Sequence, residues 1–202
     1  CFMRSRKGRA TALFFKLSMN THPRSTTHRR AAGGSPGAMH PGAANAARRR
    51  PTYTHWDELM ASKVDPTPED KRRHQLTRMW QGLRALEQDD APTPDDWRVV
   101  SDAVNLLETM VVDMRVAEDA SGLLPDAVRA MAIAGARHVD EGKRLGLGGA
   151  DITTLRAVLE DYAELLGTLP HRTAIRAHRL TERRVWDVLD GKNTRAGDVR
   201  VV

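Results

Sequence analysis

The residues with the clearest metal-binding chemistry lie near the C-terminal end of this 202-residue chain. His171, His178 and Glu182 follow one another at spacings of 7 and 4, which places them on one face if this stretch is helical. Imidazole and carboxylate groups can bind divalent cations. A histidine on the inward face of an amphipathic helix more often satisfies a polar neighbour, so we predict no metal and no cofactor. A Cys-based zinc site is excluded because the chain has one cysteine.

Paired carboxylates and phosphate-binding loops are two other features that could give the chain a catalytic function. Glu160 with Glu164, and Asp102 with Asn105, are predicted to lie on solvated faces opposite the apolar stripes of their helices. The chain has no Glu-x-x-His pair of the kind that holds two metal ions in a helical bundle, and no P-loop motif. We therefore predict no catalytic residue, and we expect a protein that is not an enzyme.

Four arginines form the strongest feature outside the predicted core. Their spacings of 4, 3 and 4 place them in one narrow row along a helix, here named the Arg stripe: Arg172, Arg176, Arg179 and Arg183. Trp186 projects close to this row. The opposite face is apolar, with Ala174, Ala177, Thr181, Val185 and Val188. The Arg stripe with Trp186 is the candidate interaction surface, and the alternative is an ordinary solvated face.

Two function classes follow from this surface. The first is a non-enzymatic helical interaction or regulatory protein with an unknown protein partner, which a second copy of the same chain would also fit. The second is a nucleic-acid-associated protein that uses the Arg stripe and a basic N-terminal arm. Residues 51 to 202 hold 21 basic and 26 acidic side chains, and this net negative charge favours the first class.

The elements that must position these residues are helices. Apolar side chains recur at three and four residues, and no alternation of strands with helices is present. The predicted helices run from Thr54 to Ser62, from Thr67 past Leu86, from Thr93 to Glu118, from Leu124 to Glu141, from a cap at Asp151 to Leu169, and from Pro170 to Asp190, with Gly191 ending the last. The small residues of the fourth helix predict that it lies at the centre.

We therefore predict an all-α bundle of five or six mostly antiparallel helices over residues 51–191. Residues 1–50 carry eleven basic side chains and no acid, with clustered Gly, Pro, Ser and Ala, which predicts a disordered basic tail. The chain starts at Cys1, so this tail is interpreted either as part of a fragment or as sequence upstream of the true start. Residues 192–202 are predicted to be a C-terminal tail, in which Asp198 to Val202 could form a strand.

Composition also bears on the compartment. A single cysteine predicts a reducing environment, because a disulfide framework needs at least two. No run of 18 apolar residues is present, which predicts a protein without a membrane-spanning helix. We expect a cytoplasmic location and no membrane partner.

Three stretches carry a resemblance to a known group of proteins. They are Thr52–Met60, Gln75–Trp80 and Asp95–Glu108. The chain from residue 51 onward resembles uncharacterised helical proteins carried by bacterial prophages and other mobile elements. This resemblance implies a bacterial accessory protein, and it supplies neither an activity nor a site.

Overall fold

Six α-helices form the structure, a computed structural model that describes residues 50–88, 91–190 and 192. They are α1 (His55–Met60), α2 (Glu69–Gln88), α3 (Pro94–Glu108), α4 (Leu124–Glu141), α5 (Gly149–Thr168) and α6 (His171–Leu189). This part of the chain contains no strand, so the predicted all-α, mostly antiparallel bundle is confirmed. The two predicted tails and the predicted helix end at Gly191 fall on residues 1–49, 191 and 193–202. These residues lie outside the part of the chain that the structure describes.

Two of the three predicted helix starts at threonine have the expected cap. Thr54 and Asp57 form the two reciprocal hydrogen bonds of a capping box at α1, in which the Thr54 amide donates to Asp57 Oδ2 at 2.6 Å. Thr93 and Asp96 form the same reciprocal box at α3. At Thr67 the cap is not made: α2 begins at Glu69, and Thr67 Oγ1 has no hydrogen-bond partner among the described residues.

The helix at the centre is α3, so the prediction that α4 is central was wrong. α3 packs against α2, α4, α5 and α6, whereas α4 packs mainly against α3 and α5. Eight of the 15 residues of α3 are buried, against seven of 18 in α4, because α4 turns side chains such as Ile133 to solvent. α2 approaches α3 closely at Gly82, where an added Cβ would lie 2.8 Å from the Asp96 carbonyl oxygen.

The third helix ends earlier than predicted and in a different form. After Glu108 the backbone continues as a π-helix over Thr109–Asp113, and Arg115 has a φ of 52°, in the left-handed region that stops a helix. The buried hydroxyls of Thr109 and Thr181 meet at 2.7 Å where this π-helix contacts α6. The fifth helix also differs at its start, because Gly148 is its N-cap and Asp151 lies within the first turn.

The core lies between α2, α3, α4 and α5. Its largest fully buried side chains include Leu86, Val100, Met110, Leu155, Leu159 and Tyr162. α6 covers this core with the face predicted to be apolar: Ala174, Ala177, Thr181 and Val185 are buried. The Arg stripe therefore lies on the outer side of α6, toward α1.

Candidate interaction surface

The four arginines of the Arg stripe fall into two pairs. Arg176 and Arg183 are exposed, whereas Arg172 and Arg179 are half-buried. The reason for this difference is α1, which packs against α6 on the side where the stripe lies. The stripe is thus partly covered by another segment of the same chain.

Arg172 ties the end of α1 to the start of α6. Its guanidinium donates to the carbonyl oxygens of Leu59 and Ala61, the second at 3.2 Å. Two backbone amides at the start of α6 also donate to this region. The Arg172 amide bonds to the Ser62 carbonyl at 3.0 Å, and the His171 amide bonds to the Asp65 carbonyl at 2.8 Å. Backbone groups at helix ends lack partners within their own helix. The C-terminal end of α1 and the N-terminal end of α6 therefore satisfy each other.

Arg179 makes the second attachment. Its guanidinium forms an ion pair with Glu58 of α1 and lies 3.4 Å from Nδ1 of His55. The side chain of Glu58 is 17% exposed, so solvent screens this pair less than one on an open surface. Arg172 and Arg179 thus fasten the inner face of α1 to the bundle through polar contacts.

Glu182 and His178 extend this attachment to the residues before α1. Glu182 accepts from the backbone amide of Thr52 at 2.9 Å and from its hydroxyl. The ring of His178 lies against Tyr53, with centroids 5.2 Å apart. Burial lowers the pKa of the His178 imidazole to about 4, so this ring is neutral at pH 7.

The metal interpretation of α6 has no support in the described part of the chain. Glu182 is bonded to Thr52, and His178 packs on an aromatic ring. No group of three or more His, Cys, Asp or Glu side chains suited to a metal ion occurs in the ranges that the structure describes.

The outer face of α1 is apolar. Trp56, Leu59 and Met60 are 73%, 43% and 82% exposed, and spacings of 3 and 4 put them on one side of the helix. None of the six residues of α1 is buried. Val64, just beyond the helix, is 81% exposed. α1 is therefore amphipathic in the inverted sense, with its polar side toward the bundle and its apolar side toward solvent.

Trp186 lies at the far end of the same surface. It is half-buried and lines a groove of about 590 Å³ between the residues around Pro51 and the C-terminal end of α6. Arg179 and Arg183 line this groove with it, so the predicted grouping of Trp186 with the stripe holds for these two arginines. Arg172 and Arg176 are not among the described residues that line it.

Sequence reasoning missed two features that matter here. The outer face of α1 could have been found from its three- and four-residue spacing within Thr52–Met60. The second feature is at Asp102 and Asn105, which were both predicted to be solvated. Asn105 is buried. Asp102 is exposed, as predicted, but it lines a cavity in which its carboxyl is partly dehydrated, and this raises its pKa to about 6 against the opposing effect of Arg98.

Comparison with protein-family models, curated proteins and solved structures finds no match to this chain. Among the described helices, none combines the length and the apolar composition that a membrane span requires. The most distinctive feature of the described surface is the inverted helix α1 on the Arg stripe.

Proposed function

We propose that this chain is a non-enzymatic helical interaction protein whose partner is another protein. The observation that carries this proposal is the apolar outer face of α1, which polar contacts hold on the bundle. A helix that buries none of its side chains adds little to a hydrophobic core. Its apolar side chains are available to a partner, and grouped exposed apolar residues are typical of protein-binding surfaces.

The chemistry of the partner follows from the residues around α1. Trp56 is the natural anchor, because tryptophan is enriched among the residues that dominate binding energy. A complementary surface offers an apolar pocket for Trp56 and Met60, with carboxylates placed to meet Arg176 and Arg183. The Arg stripe then serves both purposes: two arginines hold α1 in position, and two remain exposed beside it.

The nucleic-acid alternative rests on those two exposed arginines and the basic N-terminal residues. The groove beside Arg183 is also lined by Glu182, Asp187 and Asp190. Carboxylates at these positions repel phosphates, which favours a protein partner over a nucleic acid. A bacterial, mobile-element origin and a cytoplasmic location complete the proposal, and they rest on the sequence resemblance and the single cysteine.

The test is affinity capture from an extract of the source organism, with and without nuclease. The variant carries Trp56→Ser with Met60→Ser. The matched control is Ile133→Ser, which removes a side chain that is 50% exposed on α4, away from α1. We expect the native chain and the control to retain the same partner after nuclease treatment, and the α1 variant to lose it. All three should melt at similar temperatures, because exposed substitutions change stability by roughly 0.5 kcal/mol or less.

Three results would contradict the proposal. Loss of the partner on nuclease treatment alone would favour the nucleic-acid alternative. Equal loss in the Ile133→Ser control would show that the outer face of α1 is not the binding surface. Recovery of the chain itself as the only partner, with a dimer in solution by light scattering, would replace a foreign protein with a second copy.

A further inference from the structure

A cavity of about 410 Å³ opens between α2, α3 and the residues that precede α1. Tyr162 of α5 and His178 of α6 complete its lining. Cavities that bind small molecules have volumes of about 300 to 1,000 Å³. This cavity is separate from the outer face of α1, and the proposed interaction does not use it.

Two buried hydroxyls in the lining have protons and no described acceptor for them. Thr67 is 9% exposed, and its Oγ1 has no hydrogen-bond partner in the described structure. Tyr162 is fully buried, and its hydroxyl accepts from Gln75 Nε2 at 2.6 Å, which leaves its own proton to donate. A buried polar group left without a hydrogen-bond partner destabilises the fold. The hydroxyl of Thr67 therefore favours an occupant that brings an acceptor atom.

Positive charge surrounds the opening of the cavity. Lys71 and Arg78 lie on α2 at a spacing of 7, and Arg98 joins them from α3. Lys71 and Arg78 form no ion pair with any carboxylate in the described ranges. The lining residues of this region include one carboxylate, Asp102. The charge around the opening thus favours an anion.

The remaining wall is apolar, formed by Met79, Val99, Ala103 and Leu106. We propose that this cavity binds a small organic anion: a carboxylate, sulfonate or phosphate group carried on an apolar body. The acidic group accepts from Thr67 and lies near Lys71 and Arg78. The apolar body packs against the wall.

A pair of fluorescent probes tests this assignment. Anilinonaphthalene sulfonate carries an anionic group on an aromatic body, and phenylnaphthylamine is the same body without the sulfonate. Each is titrated against the native full chain at moderate ionic strength. We expect saturable binding of the sulfonate at one site per chain, with an affinity at least about tenfold above that of the neutral probe.

Variants locate the site. Lys71→Gln with Arg78→Gln should weaken binding of the sulfonate roughly tenfold, since each exposed charge contributes a modest attraction. The control Arg73→Gln with Arg84→Gln removes the same charge from α2, where these arginines bond to Glu69 and Gln88 away from the cavity. It should leave the affinity unchanged. Thr67→Val keeps the side-chain shape, and it should weaken the sulfonate about threefold or more without affecting the neutral probe.

Circular dichroism and melting temperature confirm that each variant is folded before its affinity is compared. The proposal is overturned if the neutral probe binds as tightly as the sulfonate, because the cavity would then be a simple apolar site. Equal weakening by the two double variants would also overturn it, since only the general charge of α2 would matter. So would binding of many probe molecules per chain without saturation.

Discussion

Thr109 and Thr181 illustrate how a pair of buried hydroxyls depends on both partners. They meet at 2.7 Å between the π-helix and α6, and Arg184 also donates to Thr109 Oγ1 at 3.5 Å. Removing one hydroxyl leaves the other without its main partner, which costs about 1 to 2 kcal/mol. Removing both leaves nothing unpaired and preserves the shape of the core.

We therefore expect the effects of Thr109→Val and Thr181→Val to be strongly non-additive. Each single variant should lower the free energy of unfolding by about 1 to 2 kcal/mol, and the double variant by much less than their sum. Urea titration of all four proteins measures the coupling directly. Additive effects would mean that the two hydroxyls do not bond to each other.

His178 makes stability dependent on pH. Burial holds its pKa at about 4 in the folded chain, against the ordinary value of 6.5 for histidine. Between these values the unfolded chain takes up a proton that the folded chain does not. The free energy of unfolding should therefore fall as the pH is lowered from about 6.5 to about 4, by an amount on the order of 1 to 3 kcal/mol.

Asp102 acts in the opposite direction over much of the same range. Its pKa is raised from 3.8 to about 6, so the folded chain binds a proton before the unfolded chain does, and stability rises as the pH is lowered. The two effects partly cancel in the native chain. The variant His178→Gln removes the effect of the histidine. Its free energy of unfolding relative to that of the native chain should therefore increase as the pH is lowered from 7 to 4.5. An unchanged difference between these pH values in urea titration would contradict the assignment.

At the scale of elements, α1 depends on α6 for its position. It has six residues, too few for a stable helix in water, and none of its side chains is buried. The bonds from Arg172 to Leu59 and Ala61 and the ion pair of Arg179 with Glu58 hold it in place. α1 is therefore the part of the bundle most easily released without unfolding the rest.

We expect Arg172→Met to release α1 selectively. The substitution keeps an apolar stem and removes every side-chain donor, while the backbone amide remains bonded to Ser62. Amide hydrogen exchange over residues 52–66 should accelerate by about tenfold, while exchange in α3 changes little. Arg176→Met is the matched control on the same helix, because Arg176 is exposed. Equal exchange in both variants would show that other contacts hold α1.

At the scale of the whole molecule, the bundle should fold without residues 1–50. The first described contact of the N-terminal part is made by Thr52, which bonds to Glu182. A chain that starts at Pro51 retains every described helix and cap. Its melting temperature should match that of the full chain. Its helical circular dichroism signal should also match, once both signals are normalised to the number of residues in the bundle. A large fall in melting temperature would mean that residues 1–50 pack on the bundle.

The sequence alone was enough to predict the helices, because helices depend on residues three and four apart. The capping box at Thr54, the N-cap at Thr93 and the bounds of α4 at Leu124 and Glu141 were predicted for this reason. The apolar face of α6 followed from the same periodicity. These features depend on local spacing, and neighbouring elements did not change them.

Only the tertiary structure decided which helix is central and what the Arg stripe contacts. Arg172 reaches a carbonyl 113 residues away, and Gln75 donates to Tyr162 across 87 residues. No spacing within one helix encodes such pairs, because they arise when separate amphipathic faces pack together. The same packing leaves the hydroxyl of Thr67 unpaired, surrounds the cavity with the cations of α2, and turns the apolar side of α1 toward solvent. The spacing of residues within each helix therefore predicted the elements, whereas packing between distant segments created the two sites proposed for this protein.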